Sequence, residues 1–139
     1  EAMEINLREA KKQGYSPDVN SCASDVPAGR PEPWMVISNM QQARIFPPQA
    51  VVKVDDTKPG IEEGLNAGTW TIGLAKTGNE VGLNLKELAA LSAEEVKRKV
   101  DKAADGLAKT GAHYVVESIS DVPEVINEIE QRLKMGDRP

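Results

Sequence analysis

Apolar residues recur at two spacings along the chain, and these spacings predict alternating helices and strands. Helical spacing marks residues 1–12, 34–44, 57–68, 85–91 and 92–110, and a final helix that begins near Asp121. Short apolar or β-branched runs predict strands at 51–54, 70–75 and 113–116, and another at 18–23. This order predicts an α/β fold in which helices cover both faces of a parallel sheet.

Capping residues set several of these helix boundaries. The Thr57 hydroxyl can accept a hydrogen bond at the start of helix 57–68. Two capping boxes are expected, Ser92 with Glu95 and Asp121 with Glu124. Gly68 and Gly111 are expected to end the helices that precede them.

Glycine recurs every four residues in helix 57–68, at Gly60, Gly64 and Gly68. Because glycine inside a helix is less favourable than alanine by about 1 kcal/mol, the repeat implies a structural reason. A bare stripe lets another backbone approach the helix closely, and we expect such close packing. Loosely packed glycines that are merely tolerated would give the same pattern.

Length and charge narrow the classes of function. The 139 residues predict one domain, and the net charge of -5 disfavours a protein that binds the phosphates of nucleic acid. A single cysteine, Cys22, excludes an internal disulfide and cysteine-rich zinc sites, which fits a cytoplasmic location. No apolar run approaches the roughly 18 residues that cross a bilayer, and the first residues lack the pattern of a signal peptide, so no membrane partner is expected.

Two adjacent carboxylates, Asp55 and Asp56, follow the clearest strand. Ligands of open α/β sheets gather at the carboxyl ends of the strands. Adjacent carboxylates repel each other unless a cation balances them, and Mg²⁺ is the hard cation that prefers oxygen ligands. Because successive strand residues point to opposite faces, at most one of the two would bind the metal directly. A helix-capping aspartate beside a solvated one fits the same sequence.

Arg30 is the second candidate, in the proline-rich loop 25–33. Its guanidinium is suited to binding phosphate, although a surface arginine would give the same sequence. Two other reactive residues are expected to have structural roles: His113 packs or hydrogen-bonds at a strand start, and Cys22 has no assigned base. Loop 77–80 would touch phosphate only through its backbone N–H groups. The aromatic residues expected in the core are Trp34, Trp70 and Tyr114.

Several segments together resemble the phosphonoacetaldehyde hydrolases, or phosphonatases, of the haloacid dehalogenase superfamily. They are the proline-rich segment 25–35, Lys53-Val-Asp-Asp56, the stretch 63–73, Thr77–Glu80 and Gly111–Val116. The resemblance covers essentially the whole chain in order, and the segment around Arg30 is specific to this branch. The implied fold is the Rossmann-like α/β core of the superfamily.

The resemblance implies a Mg²⁺-dependent enzyme that hydrolyses the carbon–phosphorus bond of phosphonoacetaldehyde to acetaldehyde and phosphate. In the family, a lysine of a helical cap forms an imine (Schiff base) with the aldehyde, and an aspartate of the core attacks phosphorus. Water then hydrolyses the aspartyl-phosphate, so that one difficult step is divided into easier ones. The family also implies a homodimer formed through the cap.

The resemblance assigns roles to residues of this chain. Asp56 matches the metal-binding acid at the end of the fourth core strand, and Arg30 matches the basic residue that holds the phosphoryl group beside the nucleophile. Asp55 is expected to support the metal site, with Thr57 beside it. Gly60 stands where relatives with a Gly-Asp-Thr sequence carry a further aspartate, which makes Asp55 the expected source of compensating charge.

Three parts of the family pattern do not occur in the sequence: the Asp-x-x-Gly-Thr strand with the nucleophile, the cap with its lysine, and the Thr-Gly-x-(Thr/Ser)-Arg strand end. Residues 1–139 are therefore expected to be the carboxyl-terminal part of the core domain, and not a catalyst alone. Two missing strands should separate segment 18–23 from strand 51–54. The alternatives are a superfamily phosphatase that acts on phosphate esters and a non-catalytic remnant.

Overall fold

The computed structural model describes residues 2–139, with side chains from Met3 onward. The helices are α1 (Ala2–Lys12), α2 (Trp34–Ala43), α3 (Lys58–Asn66), α4 (Leu85–Ala89), α5 (Ala93–Thr110) and α6 (Val122–Lys134). The strands are β1 (Val52–Asp55), β2 (Trp70–Leu74) and β3 (Tyr114–Val116). Short 3₁₀ turns lie at Ala23–Asp25, Pro48–Ala50 and Ile119–Asp121. The predicted alternation of helices and strands is confirmed from α2 to α6.

The three strands form one parallel sheet with β2 at its centre, in the order β1-β2-β3. Side chains of β2 alternate between two cores. Trp70 and Ile72 pack against α6, in a cluster with Val122 and Ile129. The opposite face is covered by α3 and α5, whose buried members include Ile61, Val100, Ala103 and Leu107. Helices therefore cover both faces of the sheet, as the sequence predicts.

The glycine stripe brings α3 onto the sheet. A Cβ at Gly64 would lie 2.6 Å from Thr71 Cγ2 and 2.9 Å from Lys53 Cβ, so no larger residue fits there without a shift. Gly68 has a φ of 75° and follows the end of the helix. The predicted close approach is confirmed, and it places α3 against β1 and β2.

One predicted capping box is confirmed and the other is wrong. Ser92 and Glu95 form a reciprocal box before α5, in which the Ser92 backbone N–H donates to Glu95 Oε2 at 2.9 Å. Asp121 already has helical dihedral angles, with φ −88° and ψ −16°, and makes no side-chain cap to α6. Its carboxylate instead accepts a hydrogen bond from the Ser118 backbone N–H at 2.9 Å. The box therefore lies one turn earlier, because the 3₁₀ turn runs directly into α6.

Two further expectations are wrong. Segment 18–23 forms no strand, and Cys22 is instead the extended residue at the start of the 3₁₀ turn Ala23–Asp25. A strand needs a neighbour for its backbone groups, and within residues 2–139 the sheet places only β2 beside β1. Trp34 is not a core residue, since 42% of it is exposed at the start of α2.

The expected core and strand-start roles of Trp70 and His113 are confirmed at the amino end of the sheet. Trp70 is fully buried, and the Arg132 guanidinium lies 4.5 Å above its ring. His113 meets Trp70 edge to face, with ring centroids 5.2 Å apart. The His113 Nδ1 atom accepts a hydrogen bond from the Thr71 backbone N–H at 3.0 Å, so the folded state requires the neutral ring.

We expect His113 to make stability depend on pH. Burial and the nearby Arg132 charge lower the pKa of His113 in the folded state. Its contribution is therefore complete above the unfolded-state pKa of about 6.5 and is lost as the pH falls through the lower folded-state pKa. His113→Asn keeps an acceptor and does not titrate. Chemical denaturation should show the wild type losing stability relative to this variant between pH 7.5 and 5.5, and parallel profiles would contradict the assignment.

Candidate functional site

The Asp55 side chain lies at the carboxyl end of β1, and donors and cations surround it. Its Oδ1 atom accepts hydrogen bonds from the Thr57 backbone N–H at 2.9 Å and from the Thr57 hydroxyl at 2.7 Å. Its Oδ2 atom lies 3.1 Å from Lys53 Nζ and 3.6 Å from an Arg30 guanidinium nitrogen. The structure thus brings together Arg30, Asp55 and Thr57, which the sequence predicts as site residues.

The environment of Asp55 favours its ionised form. Burial raises the pKa of the Asp55 carboxyl, but the hydroxyl and backbone N–H of Thr57 and the Lys53 ammonium together lower it by more. The net result is a pKa below the ordinary value for an aspartate. Asp55 therefore carries its negative charge at neutral pH, although its side chain is only 9% exposed.

Asp56 is partly exposed and is held by the loop that follows β2. The Asn79 backbone N–H donates to Asp56 Oδ2 at 2.8 Å. A Cβ at Gly78 would lie 2.5 Å from Asp56 Cβ and 2.6 Å from the Leu74 carbonyl oxygen, so only glycine fits where the loop crosses Asp56. The Asn79 N–H of loop 77–80 is thus directed at Asp56, a contact that the sequence does not predict. Gly78 was the one feature of the sequence that indicated a close approach of this loop to another segment.

The residues of this chain fit a divalent cation only in part. Within residues 2–139, no group of three or more His, Cys, Asp or Glu side chains is arranged to hold a metal ion. Mg²⁺ is commonly bound through one or two carboxylates, with waters and substrate phosphates as its other ligands. Asp56, partly exposed at a strand end, suits such a single ligand. Asp55 does not, because both of its oxygens already face donors or cations.

Gly60 makes room for the Asp55 carboxylate. A Cβ built on Gly60, in the first turn of α3, would overlap the carboxylate of Asp55. Gly60 is itself buried. Position 60 and Asp55 therefore compete for one space. That Asp55 supplies the charge of an acid missing at position 60 stays a prediction.

Lys53 and Glu63 also belong to the site, although the sequence pattern does not mark them as candidates. Lys53 shares the face of β1 with Asp55, two residues apart, and α3 brings Glu63 over that face. Lys53 Nζ lies 2.9 Å from Glu63 Oε2, and Glu63 is fully buried. The alternation of side chains along a strand already indicates that Lys53 lies on the same face as Asp55. The position of Glu63 depends on how α3 packs.

A cleft of about 1020 Å³ lies beside these charged groups. It separates segment 19–23 from β1, and α2 forms another wall. Arg30, Lys53, Thr57 and Glu63 line it together with apolar residues that include Val36, Met40 and Val52. The separation of segment 18–23 from β1 by two further strands stays a prediction.

Curated relatives match nearly the whole length of this chain. No protein-family model matches it. A phosphonoacetaldehyde hydrolase-like protein of Syntrophobacter fumaroxidans is 46% identical over 137 residues, which are 99% of this chain and 50% of that protein. The phosphonoacetaldehyde hydrolase of Klebsiella pneumoniae is 46% identical over 138 residues, 99% of this chain and 51% of that protein.

In sequence the chain is similar to the phosphonoacetaldehyde hydrolases. It corresponds to their carboxyl-terminal half, and it spans about half the length of the curated relatives it matches. The crystal structure of a phosphonoacetaldehyde hydrolase-like protein from Oleispira antarctica superimposes with a TM-score of 0.93 at 43% identity, covering 96% of this chain and 48% of that one. The expected Rossmann-like core of the superfamily is thereby confirmed as the fold. No helix among residues 2–139 has the length and apolarity that a bilayer crossing requires.

We expect Gly60→Ala to be destabilising only while Asp55 is present. Alone, the added methyl should lower the free energy of unfolding by about 1–3 kcal/mol, as overpacking does. With Asp55→Ala the space is vacant, and Gly60→Ala should become neutral or stabilising by up to about 1 kcal/mol, since alanine is the better helix former. Chemical denaturation of the wild type, both single variants and the double variant measures the coupling. Additive effects would show that the two positions do not share one space.

Proposed function

We propose that this chain, together with an amino-terminal half like that of its relatives, hydrolyses the carbon–phosphorus bond of phosphonoacetaldehyde to acetaldehyde and phosphate. The observation that carries the proposal is the contact of Arg30 with Asp55, the residue directly before Asp56. These residues come from the proline-rich loop and from the end of β1, and Arg30 reaches to 3.6 Å from Asp55. The names of the relatives support the same reaction, in phosphonate degradation.

Arg30 is proposed to hold the phosphoryl group. Its side chain is 45% exposed and lines the cleft, so N–H groups that do not face Asp55 remain accessible to an anion. A guanidinium can donate two parallel hydrogen bonds to phosphoryl oxygens. The contact with Asp55 limits the directions in which Arg30 can point.

Asp56 is proposed as the ligand that this chain contributes to Mg²⁺. When bound, the cation would offset negative charge on the phosphoryl group. The Asn79 N–H bond fixes one oxygen of Asp56, and Gly78 allows the loop to approach. Thr57 supports the site from beside it by orienting Asp55.

The amino-terminal half is proposed to supply the nucleophilic aspartate and the lysine that forms the imine. The cleft between segment 19–23 and β1 is the place where strands of that half would pack, because the backbone edge of β1 faces away from β2. A homodimer and a cytoplasmic location stay predictions of the family resemblance.

The reaction is tested with the full-length protein and purified phosphonoacetaldehyde. We expect acetaldehyde and phosphate in equal amounts, and loss of activity after borohydride treatment in the presence of the aldehyde, because reduction traps an imine. Activity on phosphate esters without borohydride trapping would favour the ester phosphatase instead. Residues 1–139 alone should give no turnover, and activity of this piece would contradict the need for a second half.

We expect Asp56→Asn in the full-length protein to raise the Mg²⁺ concentration needed for half-maximal activity and to lower turnover by about a hundredfold or more, because a neutral amide is a weaker ligand for a hard cation. Asp101→Asn is the matched control, since Asp101 pairs with Lys97 on the exposed face of α5. Turnover is measured across a Mg²⁺ titration. Equal Mg²⁺ dependence of wild type and Asp56→Asn would reject the ligand assignment.

A further inference from the structure

A row of four alternating charges leads from the interior to the site. Glu63 is fully buried, Lys53 is 22% exposed, Asp55 9% and Arg30 45%. Lys53 Nζ lies 2.9 Å from Glu63 Oε2 and 3.1 Å from Asp55 Oδ2, so one ammonium bridges two carboxylates. Arg30 ends the row at 3.6 Å from the same Asp55 oxygen.

Lys53 is fixed at its inner end. A buried carboxylate that loses its counter-charge is strongly destabilised, so Glu63 keeps the Lys53 ammonium close. The stem of Lys53 is confined as well, because its Cβ and Cγ lie under Gly64, where a Cβ would be 2.9 Å from each. Lys53 therefore cannot swing out to solvent as a surface lysine does.

The position of Lys53 decides how much of the Asp55 charge acts on Arg30. With Lys53 in place, Asp55 Oδ2 is already paired at 3.1 Å, and Arg30 stays at the longer distance of 3.6 Å. Without Lys53, the Asp55 oxygen would be a poorly solvated anion, and the Arg30 guanidinium would be drawn onto it. Arg30 N–H groups that bind Asp55 are no longer available to bind a phosphoryl group.

We propose that Lys53 is a positioning residue which, anchored by the buried Glu63, neutralises Asp55 and so leaves Arg30 available to the phosphoryl group. The inference rests on the proposed function, because it assumes that Arg30 binds phosphate there. It assigns a role to two residues that neither touch the reacting atoms nor bind the cation. Glu63 acts only through Lys53, and Lys53 acts only through Asp55.

The test measures binding of inorganic phosphate to the full-length protein by calorimetry. Lys53→Met should weaken phosphate binding by about tenfold or more, the loss expected when charge-assisted hydrogen bonds to an anion are removed. Lys53→Arg keeps the cation and should restore binding to within about threefold of wild type. Lys58→Met, a change of an exposed lysine at the start of α3, is the matched control and should leave binding unchanged.

A second variant separates positioning from folding. Lys53→Met with Glu63→Leu removes the ammonium together with the fully buried carboxylate that it pairs with, so Glu63 is not left as an unpaired buried charge. Thermal unfolding reports whether this double variant folds as the wild type does. If it folds and still binds phosphate weakly, the positioning role is supported, whereas wild-type affinity would overturn it.

Turnover of phosphonoacetaldehyde by the wild type is measured in parallel. Turnover together with unchanged phosphate binding by Lys53→Met would overturn the positioning role alone. A wild type that neither binds phosphate nor turns over the aldehyde would overturn both the positioning role and the proposed function. Turnover by the wild type, together with weaker phosphate binding by Lys53→Met and rescue by Lys53→Arg, would support both.

Discussion

A carboxylate can be buried at a strand end only where donors and cations surround it, and Asp55 meets this condition through four groups of three residues. Thr57 donates to one oxygen, and Lys53 and Arg30 face the other. The remaining features of the site depend on this arrangement. Because Asp55 is occupied, Asp56 is the carboxylate left open to a cation. Because Asp55 faces Arg30, a loop that begins far away in the sequence is held against the sheet.

Helix α3 makes this arrangement possible because two of its residues are glycines without side chains. Without side chains at Gly60 and Gly64, the helix lies directly over the face of β1 that carries Lys53 and Asp55. The close approach costs helix propensity at each glycine, but it buries Glu63 beside Lys53. The other face of β1 presents Val52 and Val54 to the core under α6. The alternation of a strand thus separates an ionic face from an apolar one.

The elements of the chain enclose two apolar cores and leave one cleft. The sheet is covered by α3 and α5 on one face and by α6 on the other, whereas the cleft leaves the far side of β1 without a strand neighbour among residues 2–139. Apolar and charged groups line that cleft together. The proposed amino-terminal half would pack in this cleft, since the curated relatives that the chain matches are about twice as long as this chain.

The sequence by itself determined the α/β order, the strand that ends in Asp55 and Asp56, most helix caps, and Arg30 as a candidate, because these depend on local spacing and on residue type. It also predicted the close packing of α3 from the glycine repeat. Tertiary structure alone decided which groups meet. Lys53 and Glu63 pair only because α3 lies across β1, and Asn79 reaches Asp56 only because β2 is the neighbour of β1. Segment 18–23 reads as a strand but forms none, because a strand exists only where another strand takes its hydrogen bonds.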